Sequence, residues 1–252
     1  MTGAAAMARE LRYGLDAATW ARECLDFEPD PWQTRVLQSS ASRVLLNCTR
    51  QAGKSTTTAV LAAHTALYQP GALVLLFSKA HRQSMELFAK VAGFLRVAGA
   101  ELPEDSKQSC ALANGSRIIS LPGDGDSVRG FSAPALVIED ESAFVNDALY
   151  QAVRPMLAVS RGRMILMSTP HGKRGHFYDA WTQGGDEWHR ESVTAHDVPR
   201  IDPAWLARER AAIGEWWFRQ EYCCEFVETH DQLFSEAAIT AAVKHTAGAL
   251  RI

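Results

Sequence analysis

No stretch of the 252-residue chain approaches the roughly 18 consecutive apolar residues that a membrane-crossing helix needs, so no span is expected. The alanine-rich start, residues 1–10, lacks the basic patch and apolar core of a secretory signal, and Met7 offers an alternative start. Positive charge is also in short supply. Lys and Arg total 26 against 29 Asp and Glu, a net charge of −3. A protein that coats nucleic acid through a broad basic field is far more positive, so any such contact must use a local patch or a multi-subunit ring. The five cysteines (Cys24, Cys48, Cys110, Cys223 and Cys224) are odd in number and irregularly spaced. They form no pair of CxxC units, which argues against a zinc site and for reduced cytosolic thiols. Internal repeats and low-complexity tracts are missing as well.

What is present is the composition of a globular protein, 47% hydrophobic and 22% charged, long enough for one large domain with a small appended subdomain. The first 30 residues read as helical, ending near Pro29 and Pro31. Short runs that are apolar throughout then alternate with helical patterns. Strands are predicted at 44–48 (VLLNC), 72–78 (ALVLLFS), 135–138 (ALVI) and 164–167 (MILM), and helices at 55–68, 81–97 and 147–159. Asn114-Gly115 between apolar stretches marks a hairpin over 111–121. Strands without polar alternation, separated by helices, imply a mostly parallel sheet covered by helices on both faces. After Pro170 the pattern changes: residues 188–194 read as a possible strand and 203–221 as two aromatic-rich helices. The expected organisation is an N-terminal helical segment (1–30), an α/β core (31–185), a C-terminal lid (186–228) and a tail (229–252).

The segment CTRQAGKS at 48–55 lies between a buried strand and a helix, where a phosphate-binding loop belongs. There, backbone N–H groups and the positive end of the helix cradle phosphates. Gly53 permits close approach of the backbone, Lys54 neutralises β/γ-phosphate charge, and the Ser55 hydroxyl can ligate Mg²⁺. The usual pattern is GxxxxGK followed by Ser or Thr, and Cys48 stands where the first glycine would be. Further on, LVIEDE at 136–141 is apolar strand followed by acid. Acids at the carboxyl edge of a parallel sheet sit where ligands bind in such folds. Asp140 would hold Mg²⁺ through water, and Glu141 would polarise the attacking water. The strand at 164–167 delivers Ser168 and Thr169 to the same edge, either as sensors of the γ-phosphate or as a helix cap. Between Lys54 and Asp140 lies a complete strand–helix–hairpin insertion. The two motifs therefore sit on non-consecutive strands, as in mechanical ATPases with an additional strand and a catalytic glutamate.

RQAGKS at 50–55, IEDESAF at 138–144 and STPHG at 168–172, in this order and spacing, resemble the ATPase domain of phage large terminase subunits. That family characteristically lacks the first loop glycine and carries Arg-Gln before Gly-Lys. PWQT at 31–34 resembles its adenine-reading glutamine motif, and SVRG at 127–130 its arginine-bearing loop. HFYDAW at 176–181 and FRQEY at 218–222 look like its later segments, so the resemblance runs from about Trp32 to Phe226.

By this resemblance Gln33 bonds the adenine edge, and residues Arg50, Gln51, Ala52, Gly53, Lys54, Ser55 and Thr56 hold ATP with Mg²⁺ on Ser55 and Asp140. Glu141 is the catalytic base, assisted by Lys54. Arg129 or Arg50 supplies the arginine finger, and Ser168 and Thr169 couple hydrolysis to motion. Arg161, Arg163, Lys173, Arg174 and Arg190 offer a basic cluster for DNA phosphates or an ordinary solvated surface. Trp205, Trp216 and Trp217 read as a packed lid.

The implied function is an ATP-hydrolysing motor that translocates double-stranded DNA into a procapsid. It would act as a homo-oligomeric ring with a portal protein and a small terminase subunit, in the cytoplasm of an infected bacterium. Terminases usually continue into a ribonuclease-H-type nuclease. After Phe226 only residues 227–252 remain, so no nuclease activity is expected, whether the chain is a truncated form, a gene fragment or a protein that leaves cutting to another chain. The alternatives are a helicase-like or other DNA-remodelling ATPase, whose second motor domain is not found here, and a nucleotide-binding scaffold or prophage remnant, against which Glu141 argues.

Overall fold

A computed structural model describes residues 3–123, 128 and 130–228. Eight strands among them form one sheet in the order β3-β4-β5-β2-β6-β7-β1-β8. In chain order these are β1 (Arg43–Cys48), β2 (Leu73–Ser78), β3 (Glu104–Asp105), β4 (Ser109–Ala111), β5 (Arg117–Pro122), β6 (Leu136–Asp140), β7 (Arg163–Ser168) and β8 (Trp188–Val193). The run β5-β2-β6-β7-β1-β8 is parallel throughout, while β3 and β4 join it antiparallel at one edge. The β4–β5 hairpin turns at Asn114-Gly115, where Gly115 has φ +84°, a left-handed conformation that glycine adopts without steric cost.

The central strands are buried on both faces, which is why they read as unbroken apolar runs. Side-chain alternation divides them between two cores. Val44, Leu46, Val74, Leu76, Leu136, Ile138, Ile165 and Met167 face one layer; Leu45, Leu75, Phe77, Val137, Met164 and Leu166 face the other. The first layer is built from α1 (Gly3–Leu15), α2 (Ala17–Leu25), α3 (Pro31–Gln38), α4 (Lys54–Tyr68) and α5 (His81–Val97). The second holds α6 (Asp147–Val153), α7 (Leu157–Ser160) and α8 (Gly175–Gln183).

Within residues 3–30, α1 and α2 pack on this core. Asp16 ends α1 and caps α2, accepting from the Ala18 and Thr19 amides at 2.9 and 3.2 Å. Trp20 is buried edge-on against His64 and Tyr68 of α4. The helix predicted over 147–159 is interrupted at Arg154–Met156 by a 3₁₀ turn, because Pro155 has no N–H to continue the ladder.

A larger difference concerns residues 188–193, expected in the lid. They form β8, paired with β1 along its whole length, so they belong to the main sheet. As an edge strand β8 is only partly buried, which gives it the mixed polarity that separates it from the central strands. Beyond it, α9 (Pro203–Ile213) and α10 (Glu215–Glu221) close over a small core of Ala195, Leu206 and Phe218. Trp205 and Trp217 stay 42% and 48% exposed on that unit. No helix among the described residues is long and apolar enough to cross a membrane.

Candidate nucleotide-binding site

The loop between β1 and α4 has the backbone of a phosphate cradle. Gln51 and Gly53 both take positive φ, 62° and 99°, and α4 begins directly at Lys54. Lys54 is only 7% exposed, and its Nζ lies 3.5 Å from both the Cys48 carbonyl and Thr169 Oγ1. A buried ammonium is costly unless paired, and here it stands at the mouth of a cavity of about 550 Å³. Cys48 points into the core, fully buried, and burial pushes its thiol up to about 12. Its side chain thus leaves the loop clear, and the missing glycine costs the cradle nothing.

Strand order decides what faces this loop. β7 lies between β1 and β6, with Asn47 beside Ser168 and Met167 beside Asp140. It is therefore β7, bearing Ser168 and Thr169, that separates the loop strand from the acidic strand, while β2 lies beyond β6. Thr169 meets Lys54 directly, whereas the Ser168 hydroxyl donates to the Thr169 carbonyl at 2.8 Å. Neither caps a helix, since α8 starts at Gly175.

The three acids at the end of β6 diverge. Asp140 shares the side of Leu136 and Ile138, the face of α4, whereas Glu139 shares the side of Val137. Continued strand geometry would send Glu141 the same way as Glu139. Instead Glu141 has φ +53° and lines the cavity with the loop residues. Its amide donates to Asp140 Oδ1 at 2.9 Å. A left-handed non-glycine residue is uncommon and gathers at functional sites. Burial, followed by the neighbouring Glu141 charge, pushes Asp140 up to about 6, with Lys54 acting in the opposite direction.

Of the sequence-predicted binding residues, Gln33, Arg50, Gln51, Gly53, Lys54, Ser55, Thr56 and Glu141 line the cavity together. Ala52 is buried behind it and offers its carbonyl to Arg200 at 3.4 Å. Gln33 lines the cavity with its amide already bonded. It is 3% exposed, its Oε1 accepts from the Asp30 amide at 2.8 Å, and its Nε2 donates to Thr57 Oγ1 at 2.9 Å. Its amide is committed to tying α3 to the loop, because Gln33 is also the N3 residue of the α3 capping box. Arg50 is held by Glu221 of α10 at 2.7 Å. Arg129 lies outside the described residues.

Phe27, Glu28, Lys90 and Arg200 complete the cavity wall and were not singled out from the sequence. They stand outside any motif, on the loop before α3, on α5 and on the loop before α9. Arg200 could have been suspected only through Asp30, which it grips at 3.1 and 2.9 Å.

The expected basic cluster is not one surface. Arg163 begins β7 and Lys173 and Arg174 follow its end, so a strand of six residues, about 20 Å, separates them. Arg163 is largely buried, donating to the Ala41 and Val36 carbonyls at 2.9 and 3.4 Å. Arg190 likewise donates to the Trp181, Ala180 and Gly185 carbonyls, stapling the end of α8. Only Lys173 and Arg174 share the sheet edge of the cavity.

Hard oxygen donors, the Asp140 carboxylate and the Ser55 hydroxyl, stand beside a loop built for phosphates. That set fits Mg²⁺, which is typically held by one or two carboxylates and substrate phosphates. A mostly parallel sheet with a phosphate loop after β1, acids at the end of β6 and one strand between them defines a P-loop NTPase of the additional-strand, catalytic-glutamate type.

Comparison with known proteins agrees. The family described as Terminase large subunit, T4likevirus-type, N-terminal, matches residues 45–241, most of the chain, and the chain belongs to that family. It is 24% identical to the terminase large subunit of Thermus virus P23-45 over 84% of its own length and 52% of that protein's. With the corresponding protein of Escherichia phage T5 the identity is 26%, over 79% and 47%. The chain thus spans about half the length of the curated relatives it matches. The fold is similar to the large terminase ATPase domain of Thermus phage P74-26, with TM-score 0.76 and 22% identity, covering 84% of this chain and all of that one. It is also similar to the large terminase of bacteriophage HK97, with TM-score 0.66 and 14% identity, over 84% and 55%.

Proposed function

We propose that this chain is the ATP-hydrolysing motor domain of a DNA-packaging terminase, moving double-stranded DNA into a procapsid. The observation that carries the reading is that Lys54 and Glu141 line one cavity of about 550 Å³, with Thr169 touching Lys54 and Asp140 ending the neighbouring strand at the same sheet edge. A fold relative, the large terminase of a thermophilic bacteriophage, has been solved with ADP and with ATP-gamma-S, and ATP is the substrate proposed here.

In this reading the backbone amides of the 51–55 loop and the Lys54 ammonium hold the β- and γ-phosphates. Ser55 and Asp140 hold Mg²⁺, which when bound neutralises phosphate charge. Glu141 accepts hydrogen-bonding from the attacking water and orients it in line. Thr169, which touches Lys54, senses the loss of the γ-phosphate and passes it to the segment leading into α8. Arg50 exchanges Glu221 for the γ-phosphate, so that nucleotide state reaches the lid built from α9 and α10. Arg129 acts as a finger between subunits of a homo-oligomeric ring, while DNA phosphates meet Lys173 and Arg174. A portal protein and a small terminase subunit are the expected partners, in the cytoplasm of an infected bacterium.

The test is ATP turnover against protein concentration for wild type, Glu141→Gln and Arg129→Ala. Glu141→Gln should retain ATP and lose turnover. Specific activity should rise with concentration in wild type and stay low and flat in Arg129→Ala. Undiminished hydrolysis by Glu141→Gln would remove the catalytic assignment, and activity indifferent to concentration and to Arg129 would remove the finger between subunits.

A further inference from the structure

On the far side of β6 from the cavity, a buried group takes no part in the chemistry just described. His176, in the first turn of α8, places Nε2 2.6 Å from Glu139 Oε1 and Nδ1 2.9 Å from Asp147 Oδ1. Its backbone amide donates to the same Asp147 oxygen at 2.8 Å. The Ser142 hydroxyl donates to Glu139 Oε1 at 2.7 Å and lies 3.1 Å from His176 Nε2. Tyr150 stacks on the imidazole, with ring centroids 4.7 Å apart.

Glu139 is 1% exposed, and its Oε2 has no hydrogen-bond partner. A buried carboxylate is tolerated only when paired, and the His176 imidazole is the basic group that meets it. Glu139 and Ser142 flank Asp140 and Glu141. The pair of residues bonded by His176 therefore brackets the two residues placed at the nucleotide.

We propose that His176 is a positioning residue for Glu141, a role that rests on the ATPase reading above. By holding Glu139 and Ser142 behind the sheet, it fixes the 139–142 turn in which the left-handed Glu141 backbone directs the carboxylate into the cavity. His176 follows Ser168 and Thr169 by one short loop, so the same contact ties the acidic turn to the segment that leaves the β7 edge. A shift of α8 would thereby move Glu141, and the converse.

The arrangement can be tested by splitting the two bonds of the imidazole. In His176→Gln the side-chain amide nitrogen occupies the place of Nε2 and can still donate to Glu139. In His176→Asn it falls near Nδ1, keeping the Asp147 contact and losing Glu139. With wild type and Glu141→Gln in parallel, the measurements are kcat, KM for ATP, affinity for a fluorescent ATP analogue, and Tm.

The expected result is a fall in kcat of about tenfold or more in His176→Asn, since small misplacements of a reacting group are that costly. KM and analogue affinity should stay within about threefold, and His176→Gln should recover most of kcat at a Tm similar to that of the Asn variant. Wild-type kcat in His176→Asn overturns the proposal, as does equal loss of kcat in both variants in proportion to Tm, the mark of a purely structural histidine. A wild-type chain that binds the analogue without turnover overturns the ATPase reading itself, and this proposal with it.

Discussion

Replacing Gly53 with Ala tests the phosphate loop most directly, because two separate penalties can be worked out. Gly53 has φ +99°, and a Cβ built there would lie 2.7 Å from Gln33 Nε2. The left-handed backbone costs an L-residue about 1–2 kcal/mol. The steric part depends on whether Gln33 can yield. It is buried and bonded at both ends of its amide, to Asp30 and Thr57. Displacing it forfeits one or two hydrogen bonds worth about 1 kcal/mol each. The sum is about 2–4 kcal/mol, and for a domain of this size each kcal/mol moves Tm by about 2–4 °C.

Thermal unfolding followed by tryptophan fluorescence should therefore show Gly53→Ala melting roughly 5–15 °C below wild type. Nucleotide affinity should fall with it, because the loop amides no longer converge. The two penalties separate in a Gln33→Ala background, where the obstruction is gone and only the backbone strain of about 1–2 kcal/mol remains. A Tm within about 1 °C of wild type would refute the conformational argument. An equal loss in both backgrounds would refute the part assigned to Gln33.

Glu221→Gln should free Arg50 from its half-exposed ion pair. Such a pair is worth at most about 1 kcal/mol, so ATP should bind up to about fivefold more tightly with little change in Tm; weaker binding by equilibrium titration would contradict the picture of Glu221 holding Arg50 in reserve. Stability should also depend on pH through His176. Burial alone would lower its pKa, but the bonds and charges of Glu139 and Asp147 outweigh it and the net shift is upward. A folded pKa above the unfolded one, about 6.5, contributes stability that is complete below that value and lost as pH rises through the folded pKa. As pH rises above about 6.5, Tm should fall more steeply in wild type than in His176→Gln, and parallel slopes would rule this out. Arg163→Ala should lower Tm and leave the salt dependence of DNA binding alone, since its guanidinium serves the Ala41 and Val36 carbonyls. Arg174→Ala should keep Tm and reduce the slope of log affinity against log salt by about 0.9; the reverse pattern would place DNA at the other end of β7.

The central strands, the loop at 48–55 and the acids at 139–141 were legible in the amino-acid order because their physics is local. A strand covered on both faces must be apolar throughout, a phosphate cradle needs glycine and lysine at a helix start, and the Asn-Gly turn sets its own hairpin. What lay several strands or helices apart was not legible. No local pattern tells that β7 rather than β2 separates the loop from the acids, or that residues 188–193 pair with β1. Strand order is decided by which apolar faces can be buried together. The same holds for single side chains. Gln33 was read as bonding the adenine edge; it does line the cavity, but its partners in the capping box and Thr57 were not legible. Arg161, Arg163, Lys173 and Arg174 looked like one patch because they are near in sequence, although a strand carries its two ends apart.

The sequence by itself therefore determined which residues the proposed chemistry draws on: the loop at 48–55, the acids at 139–141 and the hydroxyls at 168–169. The tertiary structure alone decided which of three consecutive acids faces that chemistry. Alternation along β6 sends Asp140 to the phosphate loop and Glu139 to His176, and a left-handed turn returns Glu141 to the cavity. That turn is held in part by a histidine 37 positions away in sequence from the Glu139 it bonds, and only the packing of α8 against β6 brings the two together.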